Sequence, residues 1–177
     1  FPSHNSSVYF DGSAGTDSTG NFVKIGIGGI GDNFKGGVCC SGNYTRTGVM
    51  SRTLFSVSNS LSASAATRIA LYTNPDANDF LLDHRIDGAN ILQFSFGTLV
   101  SGQKTFVCAG NTGERFWAFQ DGSNKTITFT GGGQLASWYG NYSSLVNVTI
   151  ATQADFNNGR YTNDEASANI DSCFVFN

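Results

Sequence analysis

Leu92-Gln93-Phe94-Ser95-Phe96 and Thr126-Ile127-Thr128-Phe129-Thr130 alternate apolar and polar side chains residue by residue. A period of two belongs to a strand with one packed face and one wet face. Short runs of the same kind, β-branched or apolar and bounded by Gly, Asn, Ser or Asp, recur at 7–10, 22–26, 53–57, 67–72, 80–83, 91–96, 104–109, 115–120, 126–130, 146–152 and 170–176. Eleven such runs, with no convincing stretch of period 3.6, predict an all-β, antiparallel two-sheet sandwich. The one helix candidate, 62–66, reads as a loop. Asp121-Gly122-Ser123-Asn124 reads as a hairpin connection between 117–120 and 126–130, because Gly and Asn accept the positive φ of tight turns.

Composition agrees with a strand-rich chain. Of 177 residues, 40% are hydrophobic and only 13% charged, with 22 Gly and 15 Phe. That is enough apolar material for one core, and it lacks the Glu and Lys of a helical protein. Residues 1–177 are therefore expected to form a single domain. The net charge is −3 and the Lys and Arg are scattered singly. Without a basic stripe to neutralise phosphates, nucleic acid is not an expected partner. No apolar run approaches the length of a membrane span, so membrane insertion is not expected either. No basic and apolar leader precedes Phe1, so any targeting segment is expected to have been removed or to lie outside this sequence.

Asn5, Asn43, Asn124, Asn141 and Asn147 head N-x-S/T acceptor sites, as in a secreted glycoprotein, in a number close to what the composition supplies by chance. Cys39 and Cys40 are adjacent and too constrained to bond each other easily. Bridges from either to Cys108 or Cys173 are conceivable, and free, buried thiols at Cys108 and Cys173 are the alternative. Neither a C-x-x-C spacing nor a His cluster points to metal ligation by the cysteines.

The order of the pieces resembles a laminin-G-like domain of the concanavalin A-like lectin and glucanase superfamily. Val8-Tyr9-Phe10-Asp11-Gly12 and Phe22-Val23-Lys24-Ile25-Gly26 are similar to that family's entry strands, and 50–56 to its next strand. Gly102-Gln103-Lys104-Thr105-Phe106-Val107-Cys108-Ala109 followed by 116–122 resembles its central hairpin. Residues 148–155 and 169–177 resemble its closing strands. The likeness spans nearly the whole chain and implies a jelly roll. Two departures stand out: Phe106 replaces the family's His-rich patch, and the Cys39-Cys40 segment, read as a loop, has no counterpart.

A fold of this kind does not fix an activity. Glycoside hydrolysis needs two carboxylates flanking the bond. The superfamily's glucanases carry E-x-D-x-x-E on one strand, whereas this chain has only Glu114 and Glu165, in no such motif. Asp83-His84-Arg85 is a local cluster without a nucleophile context. His84, one of two histidines with His4, reads as a surface or turn residue rather than a base. No catalytic activity is expected. Asn74-Pro75-Asp76-Ala77-Asn78-Asp79 gathers oxygen ligands of the kind calcium takes, and the resemblance implies a calcium at the sandwich rim. Asp76, Asn78 and Asp79 are thus metal candidates, with an ordinary turn as the alternative; Asp155, Asn157 and Asn158 form a weaker cluster.

Sugar binding asks for an aromatic platform with polar groups beside it. Trp138, Tyr139 and Tyr142 follow Gly131-Gly132-Gly133 in a loop that offers them no obvious cover, so they are the candidate carbohydrate-binding residues; the alternative folds Trp138 back as a plug. Trp117, in mid-strand, is expected in the core. Taken together, the expectation is a non-catalytic carbohydrate-binding or adhesion module, extracellular or on a particle surface, with a glycan as partner. An assembly subunit contacting surface protein chains is the second reading and a glycan hydrolase the third.

Overall fold

The computed structural model describes residues 8–11, 23–26, 35–44, 52–58, 68–74, 76–86, 89–132, 147–150, 156–157, 160–161 and 167–176. Every regular element among them is a strand. In chain order these are β1 (Val8–Asp11), β2 (Val23–Gly26), β3 (Gly36–Tyr44), β4 (Arg52–Ser58), β5 (Arg68–Asn74), β6 (Asp79–Ile86), β7 (Ala89–Phe96) and β8 (Lys104–Asn111). There follow β9 (Phe116–Gln120), β10 (Ser123–Asn124), β11 (Ile127–Gly132), β12 (Asn147–Ile150), β13 (Phe156–Asn157), β14 (Arg160–Tyr161) and β15 (Ser167–Phe176). One sheet has the order β1-β15-β3-β8-β9-β10, the other β11-β7-β6-β5-β4-β12-β2, and β13 with β14 forms a separate pair. No helix among the described residues is long and apolar enough to cross a membrane.

The period-two pattern sets which face packs. Leu92, Phe94 and Phe96 of β7, Phe80 and Leu82 of β6, and Ile69 and Leu71 of β5 are buried on the inner face of the seven-stranded sheet. Opposite them lie Val38 and Cys40 of β3, Val107 and Ala109 of β8, Phe116 and Ala118 of β9, and Ile170 of β15. Each buried Leu or Phe contributes about 1.5–3 kcal/mol by leaving water. Phe94 joins the two layers, with its ring centroid 5.6 Å from Phe116 of the other sheet and 6.0 Å from Phe129 of β11.

The segment expected to be a loop at Cys39-Cys40 is β3, a nine-residue strand. It pairs with β15 on one side and β8 on the other, so it is an interior strand. Its residues 36–40 are buried without alternation, which removes the period that marks a half-exposed strand. Because successive side chains point to opposite faces, adjacent cysteines reach different neighbours. Cys39 is bridged to Cys108, its register partner on β8, and Cys40 to Cys173, its partner on β15. Their Cα separations are 4.1 and 4.2 Å.

The hairpin at 121–124 is also rearranged. Gln120 faces Ser123 across Asp121 (φ 49°) and Gly122 (φ 82°), the left-handed pair that an Asp-Gly turn supplies. The returning strand is only β10, however. The run at 126–130 crosses to the other sheet as β11 and pairs with β7. Gln120 ties this end together: its Oε1 accepts from Thr98 N at 2.8 Å, and its Nε2 donates to Thr98 O at 2.8 Å and to Thr105 Oγ1 at 3.3 Å. The candidate helix at 62–66 lies outside the described residues.

Candidate functional site

Alternation that sends Phe80, Leu82 and His84 of β6 inward sends Leu81, Asp83 and Arg85 to the opposite, outer face. The antiparallel register then places Arg68 of β5 beside Arg85, Ala70 beside Asp83, and Gln93 of β7 on the other flank of Asp83. Asp83 is the hub. Its Oδ2 accepts from Arg68 Nε at 3.4 Å and Nη2 at 3.3 Å, and from Arg85 Nε at 2.9 Å. Two guanidinium groups thus share one carboxylate oxygen.

The three side chains differ sharply in exposure: 2% for Asp83, 8% for Arg68 and 35% for Arg85. Asp83 and Arg68 form a buried foundation, and Arg85 is the arginine that solvent reaches. Among the described residues Arg85 bonds only through Nε. Its two Nη nitrogens remain as a planar pair of donors, the geometry that grips a carboxylate with two parallel bonds. Thr130 of β11 donates to Gln93 Oε1 at 3.0 Å, fixing the amide of Gln93 on the same face. Ser56 lies in register with Ala70, and its Oγ, like Asp83 Oδ1, is buried without a hydrogen-bond partner. The accessible donor pair of Arg85 can hold an anionic group.

His84 departs from its expected surface or turn position. It is fully buried on the inner face of β6, and burial pushes its pKa down to about 4. Trp117 departs in the other direction. It is half-buried on the outer face of β9 while Phe116, Ala118 and Gln120 point inward, and it lies across Gly110, where a Cβ would come within 2.5 Å of the indole.

Asn74 of β5 faces Asp79 of β6, and 76–78 are in the turn between these antiparallel strands. Asp76 and Asn78 are exposed and Asp79 is half-buried; Asn78 has φ 54°, and its carbonyl accepts from Leu99 N at 2.7 Å. No three His, Cys, Asp or Glu side chains among the described residues converge as metal ligands. Trp138, Tyr139 and Tyr142 lie outside the described residues, as do Asn5, Asn141, Asp155 and Asn158. Asn43 is half-buried within β3, its Oδ1 without a partner; Asn124 is exposed on β10; and Asn147 opens β12.

Sequence reasoning passed over Arg68, Gln93 and Thr130, and met Asp83 and Arg85 only as neighbours of a histidine. A usable signal was present: Asp83-x-Arg85 puts opposite charges on one strand face, and Arg68 sits at the matching outward position of the preceding strand.

No protein-family model and no curated protein matches the sequence. Solved structures do match in fold. The CBM40 of Ruminococcus gnavus IT-sialidase bound to α2,6-sialyllactose superposes with a TM-score of 0.62 at 13% identity, over 80% of this chain and 76% of that one. A heptameric SAP-like pentraxin from Limulus polyphemus gives 0.60 at 16% identity, over 94% and 73%. The NanB sialidase of Streptococcus pneumoniae gives 0.62 at 14% identity, over 96% of this chain but 25% of that enzyme. The likeness is one of fold, and it agrees with the antiparallel two-sheet β-sandwich of this chain.

Proposed function

We propose that this chain is a carbohydrate-binding module that takes an acidic glycan on the outer face of its seven-stranded sheet, with Arg85 holding the sugar's carboxylate. The observation that carries the reading is the guanidinium of Arg85, aimed by a buried carboxylate and left with two outward donors. A CBM40 of the same fold is bound to sialyllactose, a carboxylate-bearing sugar. Gln93 and Thr130 supply neutral polar contacts for hydroxyls. Trp138, Tyr139 and Tyr142 belong to the chain that continues directly from β11, the strand bearing Thr130, and are assigned here as stacking residues.

The reading is of binding without turnover. Asp83 is committed to two arginines, Asp121 accepts from Thr105 Oγ1 and Phe106 N, and Asp171 is paired with Lys104 at 2.7 Å. None of these is a carboxylate poised to protonate a leaving group. Two disulfides accord with an extracellular or particle-surface setting.

A glycan array tests the proposal. Retention on sialylated glycans that is lost on their desialylated counterparts is the expected result, and equal binding to both overturns the role of the carboxylate. A second reading, an assembly subunit, draws on the outer face of the other sheet, where Phe106 and Phe174 stack at 6.1 Å and Phe174 is 37% exposed. Silence across the array, with capture by a protein partner at that face, favours it.

A further inference from the structure

Among the described residues, β11 is the terminal strand of the seven-stranded sheet and pairs only with β7. No other strand among the described residues meets the N–H and C=O groups of its outer edge. Natural edge strands are usually blunted by charge, proline, shortness or a bulge; the register shift of β11 falls after Phe129, so 127–129 is a regular edge. Here Thr126-Ile127-Thr128-Phe129-Thr130 has neither charge nor proline. Thr128, Phe129 and Thr130 are exposed, Phe129 to 49%. The free edge of the other sheet at β10 is only two residues long.

We infer that β11 is a self-association edge, pairing antiparallel with β11 of a second copy of this chain about a two-fold axis. The edge is self-complementary. With Thr128 opposite Thr128 of the second copy, Phe129 lies opposite Ile127 of that copy on one face, so the apolar groups meet and no like charges are opposed. An uncharged, β-rich edge matches its own copy without specific partners, whereas a charged ligand peptide finds nothing in 126–132 to pair with.

The two seven-stranded sheets become one continuous sheet with both Arg85 faces on the same side. Arg85 lies on β6, two strands in from the edge. Five inter-strand steps therefore separate the two sites, roughly 24 Å at about 4.8 Å a step. The bivalency that follows rests on the glycan reading; the self-association does not. A single edge is a small interface, so the dimer is weak and forms at high concentration.

Sedimentation velocity without any glycan tests it, from micromolar to millimolar protein, on material made without N-glycans because Asn124 lies three residues before β11. The wild type is expected to move from monomer toward twice the monomer mass. Thr128→Asp and Thr128→Lys each place like charges across the axis and are expected to stay monomeric, while an equimolar mixture of the two restores the dimer. Circular dichroism reports folding, and Phe129→Lys replaces either variant that loses its β signal. A wild type that stays monomeric throughout overturns the inference, as does a dimer that both single-charge variants leave intact.

Discussion

Asp83 and Arg85, two residues apart on β6, are joined by an Arg85 Nε–H to Asp83 Oδ2 bond of 2.9 Å, and the acceptor is 2% exposed while the donor's side chain is 35% exposed. The buried partner fixes the direction of the accessible one. It also holds Arg68 from the other side. Removing Asp83 and removing Arg85 should therefore have unlike consequences. Asp83→Ala removes the buried carboxylate that both guanidinium groups share and is expected to cost about 3–5 kcal/mol. Arg85→Ala removes a half-buried arginine and one of the bonds to a carboxylate that Arg68 still holds, and should cost about 1–2 kcal/mol. Urea denaturation of the two variants checks the contrast; equal losses would contradict the division into foundation and grip.

The adjacent cysteines staple three neighbouring strands, β8, β3 and β15, and close loops of different size. The Cys40–Cys173 bridge spans 133 residues and Cys39–Cys108 spans 69. Replacing either pair by alanine is expected to cost about 2–5 kcal/mol, and chain entropy makes the longer loop the costlier by less than about 1 kcal/mol. Thermal melts of the two double variants measure the difference.

Gly110 is required for space. A Cβ there would strike the Gly36 carbonyl oxygen, lie 2.8 Å from Gly37 Cα and 2.5 Å from the Trp117 ring. Two of these contacts are backbone of the paired strand, which cannot yield as a side chain can. Gly110→Ala is expected to cost at least about 3 kcal/mol, at or beyond the upper end of ordinary overpacking. Gly102, with φ 78° and nothing within 4 Å of an added Cβ, carries only the backbone penalty of about 1–2 kcal/mol. A denaturation comparison of the two alanine variants distinguishes crowding from backbone preference.

Part of the fold was legible from alternation, which β9 keeps in its burial; β4 and β5, buried throughout 53–57 and 68–73, were legible instead as short apolar and β-branched runs. β7 and β11 carry the period of two in sequence, and the inward set read from 92–96, Leu92, Phe94 and Phe96, is buried, with Ser95 on the opposite face also buried at 9%. β3 escaped because it is central, glycine-rich and buried on both sides over residues 36–40. The site escaped for a different reason. Arg68 and Arg85 are 17 positions apart in sequence and meet only through the register that pairs them, and register is fixed by the whole sheet rather than by either strand. His84 misled for a related cause: flanked by Asp83 and Arg85, it has the neighbours of a surface residue, yet the alternation turns it inward with Phe80 and Leu82.

That inward histidine makes stability depend on pH. Burial lowers the folded-state pKa to about 4 from the ordinary 6.5, so the unfolded chain binds the proton first as pH falls. The contribution is intact above pH 6.5 and is lost progressively between 6.5 and about 4, to a total of roughly 3 kcal/mol. His84→Leu should flatten the decline over that window in urea midpoints taken at each pH. A decline as steep as that of the wild type would place the acid sensitivity elsewhere.

The central claim is that Arg85 holds a sugar carboxylate, and isothermal titration of 3′-sialyllactose and of lactose into the wild type and Arg85→Ala tests it most directly. The account predicts binding of sialyllactose and not lactose by the wild type. It predicts a loss of at least about tenfold in the variant, the scale of one charge-assisted hydrogen-bond pair at 1.5–3 kcal/mol, with the fold unchanged by circular dichroism. Sialyllactose bound equally well by a folded Arg85→Ala protein, or lactose bound as tightly as sialyllactose by the wild type, would contradict it.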